Sequence, residues 1–404
     1  MRRWRKVKCM TDTARTCCLV FIALIMRAAE ETKKNAVAVA VTCGLVFLLV
    51  YLWQDPCDGR KILANLCEEY KKGEVAGRLC YKFCYDQSIY LSYCHEDGPR
   101  KSFMWEKMMM RVPTSLLPDH HEMTLHEGMS LTEFEGLLLD FLRSHLGPHD
   151  FSDLMFRMKL FADFNDDEKL SLGEVQSLWR LIHIREFLVL FIFQGSAVFP
   201  EINGTCGSLF GFNFPQVSSI FTKEVSPILK LVSKNAFRWS FPSWEERARV
   251  AVGVLDLIFD IYEENHVRFV MCDLQPSIIG HTENYEAQVT DAGRILSSVM
   301  LESELSNRTC SHDNQCQYSE SCTTMCDTKK QKCSGETIKP TIWQACQLIK
   351  DYLLFDAPDN IQPTLEKLLY NCMRLVIYGQ SIDMSHTILV TDLKTVLWDH
   401  IKTL

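Results

Sequence analysis

The chain has 404 residues, of which 47% are hydrophobic and 23% are charged, and its formal net charge is -8. This apolar content excludes a wholly disordered chain, and the acidic balance argues against nucleic acid as a partner. The charge is unevenly spread, because residues 1–35 hold nine Lys/Arg and three Asp/Glu. A basic N-terminal tail therefore precedes an acidic body.

An uncharged run of 18 residues, 36–53, follows this tail. As a helix rising about 1.5 Å per residue it spans roughly 27 Å, the thickness of an endoplasmic-reticulum bilayer. Lys33 and Lys34 precede the run and Asp55 follows it, so the positive-inside rule keeps residues 1–35 in the cytosol. The run is too long for the core of a cleaved signal peptide. The sequence predicts an uncleaved signal anchor, a single span and type II topology with the body in the lumen.

The tail and two glycosylation signals indicate the compartment. The run Arg2-Arg3-Trp4-Arg5 resembles an arginine-based retention signal. Asn203-Gly204-Thr205 and Asn307-Arg308-Thr309 are sequons, so glycans are expected on Asn203 and Asn307 in the lumen. We expect an endoplasmic-reticulum membrane glycoprotein, with the Golgi as the alternative location.

Fourteen of the 18 cysteines lie beyond the predicted span, and most of them cluster at 57–94 and 310–333. They form no C-x-x-C pair, the spacing of zinc ribbons and thioredoxin-like motifs. An even number of cysteines in an oxidising compartment indicates seven disulfides. Their connectivity does not follow from the spacing.

Hydrophobic periodicity predicts an α+β body without an internal repeat. The predicted segments, in chain order, are a Cys-rich lead-in at 54–97, a strand pair within 98–125, helices at 131–193, a strand at 208–214, a long helix capped by Ser243 and Glu246, a strand at 268–272 and a helical tail at 343–404.

Residues 163–174 have the spacing of an EF-hand calcium loop between two helical patterns. Glu168 stands at the position that is usually Gly, and the backbone strain there should cost on the order of 1 kcal/mol. No second such loop occurs in the sequence. We therefore expect weak calcium binding, with a Kd of roughly 10⁻⁴ to 10⁻³ M. The alternative is a degenerate loop that keeps its shape without metal. The expected calcium ligands are Asp163, Asn165, Asp167, the carbonyl of Lys169, Ser171 and Glu174.

Two aspartates stand 18 residues apart after the predicted strand at 268–272. Asp273 begins an Asp-Leu-Gln-Pro turn, and Asp291 begins Asp-Ala-Gly. They resemble the catalytic loop and the metal-binding D-F-G motif of protein kinases. With the capped helix, the calcium loop and the cysteine clusters, the chain resembles the divergent protein kinase domain 1 family. Members of that family are Cys-rich type II proteins of the endoplasmic reticulum with an EF-hand inserted in the kinase N-lobe.

The resemblance implies a two-lobed kinase-like fold, with an N-lobe at 98–200 and the remainder, including the Cys-rich block 310–333, at 201–404. In an active member Asp273 is the catalytic base, and Asp291 binds ATP through Mg²⁺ or Mn²⁺. Glu186 orients a basic phosphate contact, for which the sequence offers Lys107 and Arg111.

Several positions depart from the kinase pattern. A Gly-rich loop is missing from the sequence, and the Asn that binds a second metal is replaced by Ile278. Gln275 replaces the usual lysine, and Cys272 stands where an arginine binds the activation-loop phosphate. Two functions therefore stay open. One is phosphoryl transfer from ATP to a hydroxyl of an unidentified lumenal substrate, and the other is a calcium-responsive pseudokinase that binds or scaffolds a lumenal partner.

The last residues of the predicted calcium loop and the segment that carries Glu186 are predicted to form one continuous helix. Residues 173–188 contain no Pro and no Gly after Gly173, and they join Glu174 to Glu186. A rigid helix predicts that calcium biases the position of Glu186.

Overall fold

The structure is a computed structural model that describes residues 59–403, apart from 87–90, 98–99, 106, 114–129, 166, 168, 214–217, 220–241, 265 and 375–381. Apart from the first residues of one helix, the features below belong to the second of two compact units, Ile62–Leu404. None of the helices within those ranges combines the length and the apolar character that a bilayer crossing requires. The predicted anchor at 36–53 and the basic tail lie outside the described residues.

A five-stranded antiparallel sheet forms the first half of the fold, in the order β1-β2-β3-β5-β4. In β2 and β3, Ser102 faces Arg111 and Arg100 faces Pro113. Because side chains alternate along a strand, Arg100, Ser102 and Arg111 share one face of the sheet. The strands are β1 (Ser92–Asp97), β2 (Arg100–Trp105), β3 (Met108–Pro113), β4 (Ile202–Cys206) and β5 (Leu209–Asn213).

This sheet confirms the expected strand pair within 98–125 and extends beyond the expected N-lobe at both ends. β1 comes from the predicted Cys-rich lead-in at 54–97, and β4 and β5 follow position 200. The difference arises because β5 pairs with β3, although the two strands are about 100 residues apart. Sequence periodicity does not reveal such a long-range pairing.

The helices between β3 and β4 are α2 (Leu131–Leu146), α3 (Ser152–Ala162), α4 (Leu172–Ile182) and α5 (Arg185–Ile192). α2 begins with a capping box between Ser130 and Glu133. α5 is buried at every position from Glu186 to Ile192. This segment is therefore an internal helix of the core, and its Phe187 ring lies 5.5 Å from the ring of Phe210 on β5.

The predicted continuous helix from 173 to 188 is wrong. α4 ends at Ile182, and Ile184 adopts an extended conformation with ψ of 105° before α5 begins. α4 leaves one face partly exposed, whereas α5 is buried all round, so the chain turns between them to bring α5 into the core. The β-branched Ile182 and Ile184 resist helical packing slightly, which favours a break at this point.

The second half is mainly helical with short strands. Ser243 and Glu246 cap the long helix α6 as predicted, with Glu246 N–H donating to Ser243 Oγ at 3.3 Å. Its helices are α6 (Trp244–Tyr262), α7 (Ser298–Leu305), α8 (Thr341–Leu354), α9 (Gln362–Cys372) and α10 (Ile382–Thr403), whereas α1 (Gly59–Lys72) precedes β1. The strands are β6 (Ser218–Ser219), β7 (Glu263–Glu264), β8 (Val267–Met271), β9 (Ile279–His281), β10 (Ala287–Val289), β11 (Ile295–Ser297), β12 (Gln317–Ser319), β13 (Cys322–Asp327) and β14 (Lys332–Thr337).

Disulfides staple the fold, as the cysteine count predicted. They pair twelve of the fourteen cysteines, while Cys57 and the side chain of Cys94 lie outside what the structure describes. The pairs are Cys67–Cys84, Cys80–Cys206, Cys272–Cys322, Cys310–Cys326, Cys316–Cys333 and Cys346–Cys372.

The N-terminal Cys-rich segment fastens α4 to the sheet. Its Ala76 N–H donates to Ser177 Oγ on α4 at 2.8 Å, and its Leu79 N–H donates to the Thr205 carbonyl on β4 at 3.0 Å. Cys80–Cys206 adds a covalent link to the same strand. The segment therefore holds the helix after the calcium loop in place.

Candidate functional site

The pairing of β8 with β11 places the two predicted aspartates at the same end of this strand pair. Met271 faces Ile295 in this antiparallel pair, so the end of β8 lies beside the start of β11. Asp273 follows β8, and Asp291 precedes β11. The carbonyl of Arg294 accepts the N–H of Cys272 at 3.2 Å, which extends this pairing toward Asp273.

Asp291 is held by Arg100, a residue that the sequence interpretation missed. Arg100 donates from Nη1 and Nη2 to the two carboxylate oxygens of Asp291, at 2.7 and 2.6 Å. The same Nη1 donates to Glu186 Oε2 at 2.9 Å. One guanidinium therefore joins helix α5 to the Asp-Ala-Gly turn. Only the register of β2 against β3 reveals that Arg100 shares a face with Arg111, and the sequence does not fix that register.

Of the two predicted basic residues, the structure brings only Arg111 to this site. Arg111 Nε lies 3.4 Å from Glu186 Oε1, and its Nη1 contacts Ser102 Oγ. Lys107 is exposed between β2 and β3. Glu186, Asp291 and Arg111 therefore lie together, and Arg100 is a second arginine at the same place.

Burial and the arginines shift the pKa values of the two carboxylates in opposite directions. Burial raises the pKa of Glu186 above its ordinary range, against the opposing charges of Arg111 and Arg100. Burial also acts to raise the pKa of Asp291, but the hydrogen bonds and charge of Arg100 outweigh it, and the pKa lies below its usual value. Asp291 is therefore the fully ionised partner of Arg100 at neutral pH.

Asp273 is contacted by the hairpin formed by β12 and β13. Its Oδ1 accepts hydrogen bonds from Ser319 Oγ at 2.7 Å, from Ser321 Oγ at 2.6 Å and from Ser321 N–H at 3.2 Å. Asp273 has a left-handed φ of 59°, which Asp tolerates better than most residues. Burial acts to raise its pKa, but the bonds from the serines outweigh it and lower the pKa.

Two further links hold this hairpin to the site. Cys272–Cys322 joins the residue before Asp273 to the residue after Ser321. On the other strand, the Tyr318 hydroxyl accepts from Arg185 Nη1 at 3.1 Å, and Arg185 Nε donates to the Gly293 carbonyl at 3.0 Å. The sequence interpretation missed the serines, because only the pairing of Cys272 with Cys322 points to them.

The other departures from the kinase pattern occupy definite positions. Ile278 is buried in the hydrophobic core, and Gln275 is exposed. The Leu274 N–H donates to Gln344 Oε1 on α8 at 2.9 Å, which fixes the turn after Asp273. An apolar side chain therefore replaces the second metal ligand.

The calcium loop lies between α3 and α4. Glu174 Oε1 accepts from the Phe164 N–H at 3.2 Å, and Oε2 accepts from the Ser171 N–H at 2.8 Å. Asp163 Oδ1 accepts from the Asp167 N–H at 3.1 Å. Within the described part of this loop, no three carboxylates have ligand oxygens that all lie within 4.8 Å of one another.

Outside this loop, three cysteine sulfurs of the 310–333 block approach within 4.8 Å of one another in the described chain, at Cys310, Cys316 and Cys326. All three belong to disulfides, so they are not metal ligands. The asparagines of the two predicted sequons, Asn203 and Asn307, are both exposed. Asn203 donates through Nδ2 to Asn213 Oδ1.

The fold and the paired aspartates define a protein-kinase-like domain. Residues 178–375 match the family model described as the protein-kinase domain of FAM69, and residues 31–160 match the model of its N-terminal cysteine-rich endoplasmic-reticulum region. The chain therefore belongs to the FAM69 family, as the resemblance to the divergent protein kinase domain family indicated. The family places its Cys-rich part in the endoplasmic reticulum.

A solved structure, the crystal structure of WbdD, is similar to this chain at 12% identity and a TM-score of 0.31. The match covers 78% of this chain and 46% of that chain, so the present chain spans less than half of its length. At this TM-score the likeness carries no weight for fold or function.

Proposed function

We propose that the protein is a catalytically silent kinase-like binding protein, anchored in the endoplasmic-reticulum membrane with its body in the lumen. The observation that carries this proposal is the occupancy of Asp273. A catalytic base must accept the proton of an incoming hydroxyl. Here Asp273 already accepts three hydrogen bonds from Ser319 and Ser321. Its lowered pKa makes it a weaker base as well.

The disulfide supports the same proposal. Cys272–Cys322 ties the hairpin beside Asp273, so an outside peptide has to displace a covalently fastened segment. The missing Gly-rich loop and the apolar Ile278 remove two further parts of a phosphoryl-transfer site. A domain of this kind acts through its surfaces, with a lumenal protein as the partner.

Phosphoryl transfer is the second candidate, and one contact favours it. The Ser321 hydroxyl donates to Asp273 at 2.6 Å, the arrangement of an acceptor hydroxyl on a kinase base. An assay of ATP turnover and phosphate incorporation by the full-length protein, with its disulfides intact, separates the two candidates. The silent protein gives equal rates with and without Asp273→Ala, whereas a rate that falls more than tenfold in this variant contradicts the proposal.

Calcium is proposed to bind the loop 163–174 as a structural ion. The chemistry of the donors supports this, since the carboxylates, the Asn165 amide, a backbone carbonyl and a Ser hydroxyl are the oxygen ligands that calcium prefers. The break between α4 and α5 removes the rigid connection to Glu186, so we expect the ion to stabilise the fold by mass action. Calorimetry should give weak binding that Glu174→Gln abolishes, and nucleotide should leave the calcium affinity unchanged.

The type II topology is part of the same proposal. It is supported by the uncharged run 36–53 after a basic tail and by the exposure of both sequon asparagines. Protease added to intact microsomes should remove only the first 35 or so residues, and Asn203 and Asn307 should carry glycans. Digestion of the body would show the opposite orientation.

A further inference from the structure

Arg100 lies where a metal-dependent kinase binds its divalent cation. Its two terminal nitrogens bond both oxygens of Asp291, in the fork-to-fork geometry that is strongest for guanidinium and carboxylate. The Arg100 and Asp291 side chains are 16% and 12% exposed. A metal ion would have to displace this buried pair before it could reach either oxygen of Asp291.

The surrounding groups are arranged for this arginine. A Cβ at Gly293 would lie 2.9 Å from Arg100 Nη1, so the absence of a side chain there gives the guanidinium its room. Arg111 brings a second buried guanidinium to the same face, 3.4 Å from Glu186. Arg294 lies at the rim, 3.9 Å from Asp291 Oδ2. These are three arginines around two carboxylates.

The donor set therefore does not fit Mg²⁺ or Mn²⁺. Asp291 is the one carboxylate left from the kinase metal ligands, and Ile278 offers no ligand atom. A divalent ion beside three guanidinium groups would also meet net positive charge. The chemistry favours an anion in the place where the kinase pattern predicts a metal-bound nucleotide.

We propose that Arg100 takes the place of the metal ion, and that the arginines around Glu186 and Asp291 bind a polyphosphate anion, such as the phosphates of a nucleoside triphosphate, without a divalent cation. The inference rests on the kinase-like domain of the proposed function, and it does not depend on whether phosphoryl transfer occurs. Guanidinium groups bind phosphate oxygens as well as they bind carboxylates. Both terminal nitrogens of Arg100 already bond Asp291, so a phosphate would have to share this guanidinium with the carboxylate. The partly exposed edge of Arg100 and the rim position of Arg294 give the phosphates access.

The metal half of the proposal is tested by the electron paramagnetic resonance of Mn²⁺ with the full-length protein. All proteins carry Glu174→Gln, so that the calcium loop does not contribute. Adding Asp291→Asn should leave Mn²⁺ binding unchanged, because Asp291 is engaged by Arg100. Adding Arg100→Ala instead should create an Mn²⁺ site. In the unaltered protein Arg100 Nη1 bridges the Glu186 and Asp291 carboxylates, and in the variant these carboxylates would face each other without a cation. Mn²⁺ binding that Asp291→Asn removes in the protein with Arg100 intact would overturn the proposal, even if the Arg100 variant fails to fold.

The anion half is tested by calorimetry with ATP and with inorganic tripolyphosphate, in EDTA and in Mg²⁺. Both ligands should bind in EDTA, and Arg100→Gln should weaken them at least tenfold. Lys101→Gln is the matched control, because it removes the same charge one residue away on the opposite face of β2, and it should change the affinity less than twofold. If ATP binds and tripolyphosphate does not, the phosphates lie elsewhere and the role of Arg100 is contradicted. Binding that occurs only with Mg²⁺ would also contradict it. Neither result bears on ATP turnover, which tests the proposed function separately.

Discussion

Asp273 lies where the kinase pattern places a catalytic base, and a neighbouring hairpin engages its carboxylate. The aspartate follows a buried strand, as in a kinase, but its Oδ1 is filled by Ser319 and Ser321. Asp291 likewise keeps its place while Arg100 takes both of its oxygens. In both cases the aspartate matches the kinase pattern, and neighbouring side chains occupy its carboxylate oxygens.

The lowered pKa of Asp273 predicts a pH-dependent contribution to stability. A carboxyl whose folded pKa is below its unfolded value stabilises the protein above about pH 4 and loses this effect as pH falls through the folded value. Hydrogen bonds to a charged group contribute on the order of 1.5–3 kcal/mol. Asp273→Asn should therefore lower the melting temperature at pH 7, and the gap from the unaltered protein should shrink toward pH 3. A gap that is constant with pH would show that the charge is not involved.

At the scale of elements, helix α4, which follows the predicted calcium loop, depends on a close approach to the N-terminal segment. A Cβ at Gly173 would lie 2.6 Å from the carbonyl oxygen of Gly73, a backbone atom that cannot move aside cheaply. At Gly136, within α2, a Cβ would meet nothing within 4 Å. The two glycines therefore serve different purposes, although both lie in helices.

This difference gives a matched pair of substitutions. Gly173→Ala should destabilise the protein by about 2 kcal/mol, because the clash forces the segment at 73–75 away from α4. Gly136→Ala should stabilise it by about 0.5–1 kcal/mol, because alanine favours a helix interior. Urea denaturation measures both changes, and a Gly173→Ala protein as stable as the parent would show that the contact is loose.

The elements also show what the sequence can and cannot predict. The capped helix α6, the strand pair β2–β3 and the helix-loop-helix at the calcium loop follow from local patterns, and the structure has all three. The break at Ile184 could not be predicted from the local sequence, because no Pro or Gly marks it. It depends on the position of the hydrophobic core, into which α5 is buried. Arg100 and the serines of the hairpin were missed because strand register and disulfide pairing are long-range facts.

At the scale of the whole molecule, disulfides connect distant parts of the chain. Cys80–Cys206 spans 126 residues and ties the N-terminal segment to the sheet, whereas Cys346–Cys372 spans 26 residues within the helical tail. All four cysteines are fully buried. The two pairs therefore differ chiefly in the length of chain that each one closes.

Loop length predicts which pair matters more. In the chain-entropy account, losing the longer loop costs about 5 kcal/mol and losing the shorter one about 3.5 kcal/mol. Replacing both cysteines of a pair by alanine should therefore lower stability more for Cys80 and Cys206 than for Cys346 and Cys372. Guanidinium denaturation of the two double variants makes the comparison, and equal losses would mean that loop closure is not the main term.

The central claim is that the hairpin covers Asp273 in the oxidised protein, and hydrogen exchange tests it most directly. The Ser321 N–H donates to Asp273 Oδ1, so its exchange reports that contact alone. With Cys272–Cys322 intact, peptides that contain Ser321 should be protected, and Asp273→Ala should speed exchange of this amide at least tenfold. The same fast exchange in the unaltered protein and in the variant would contradict the claim, because it would mean that Asp273 is open to an outside hydroxyl.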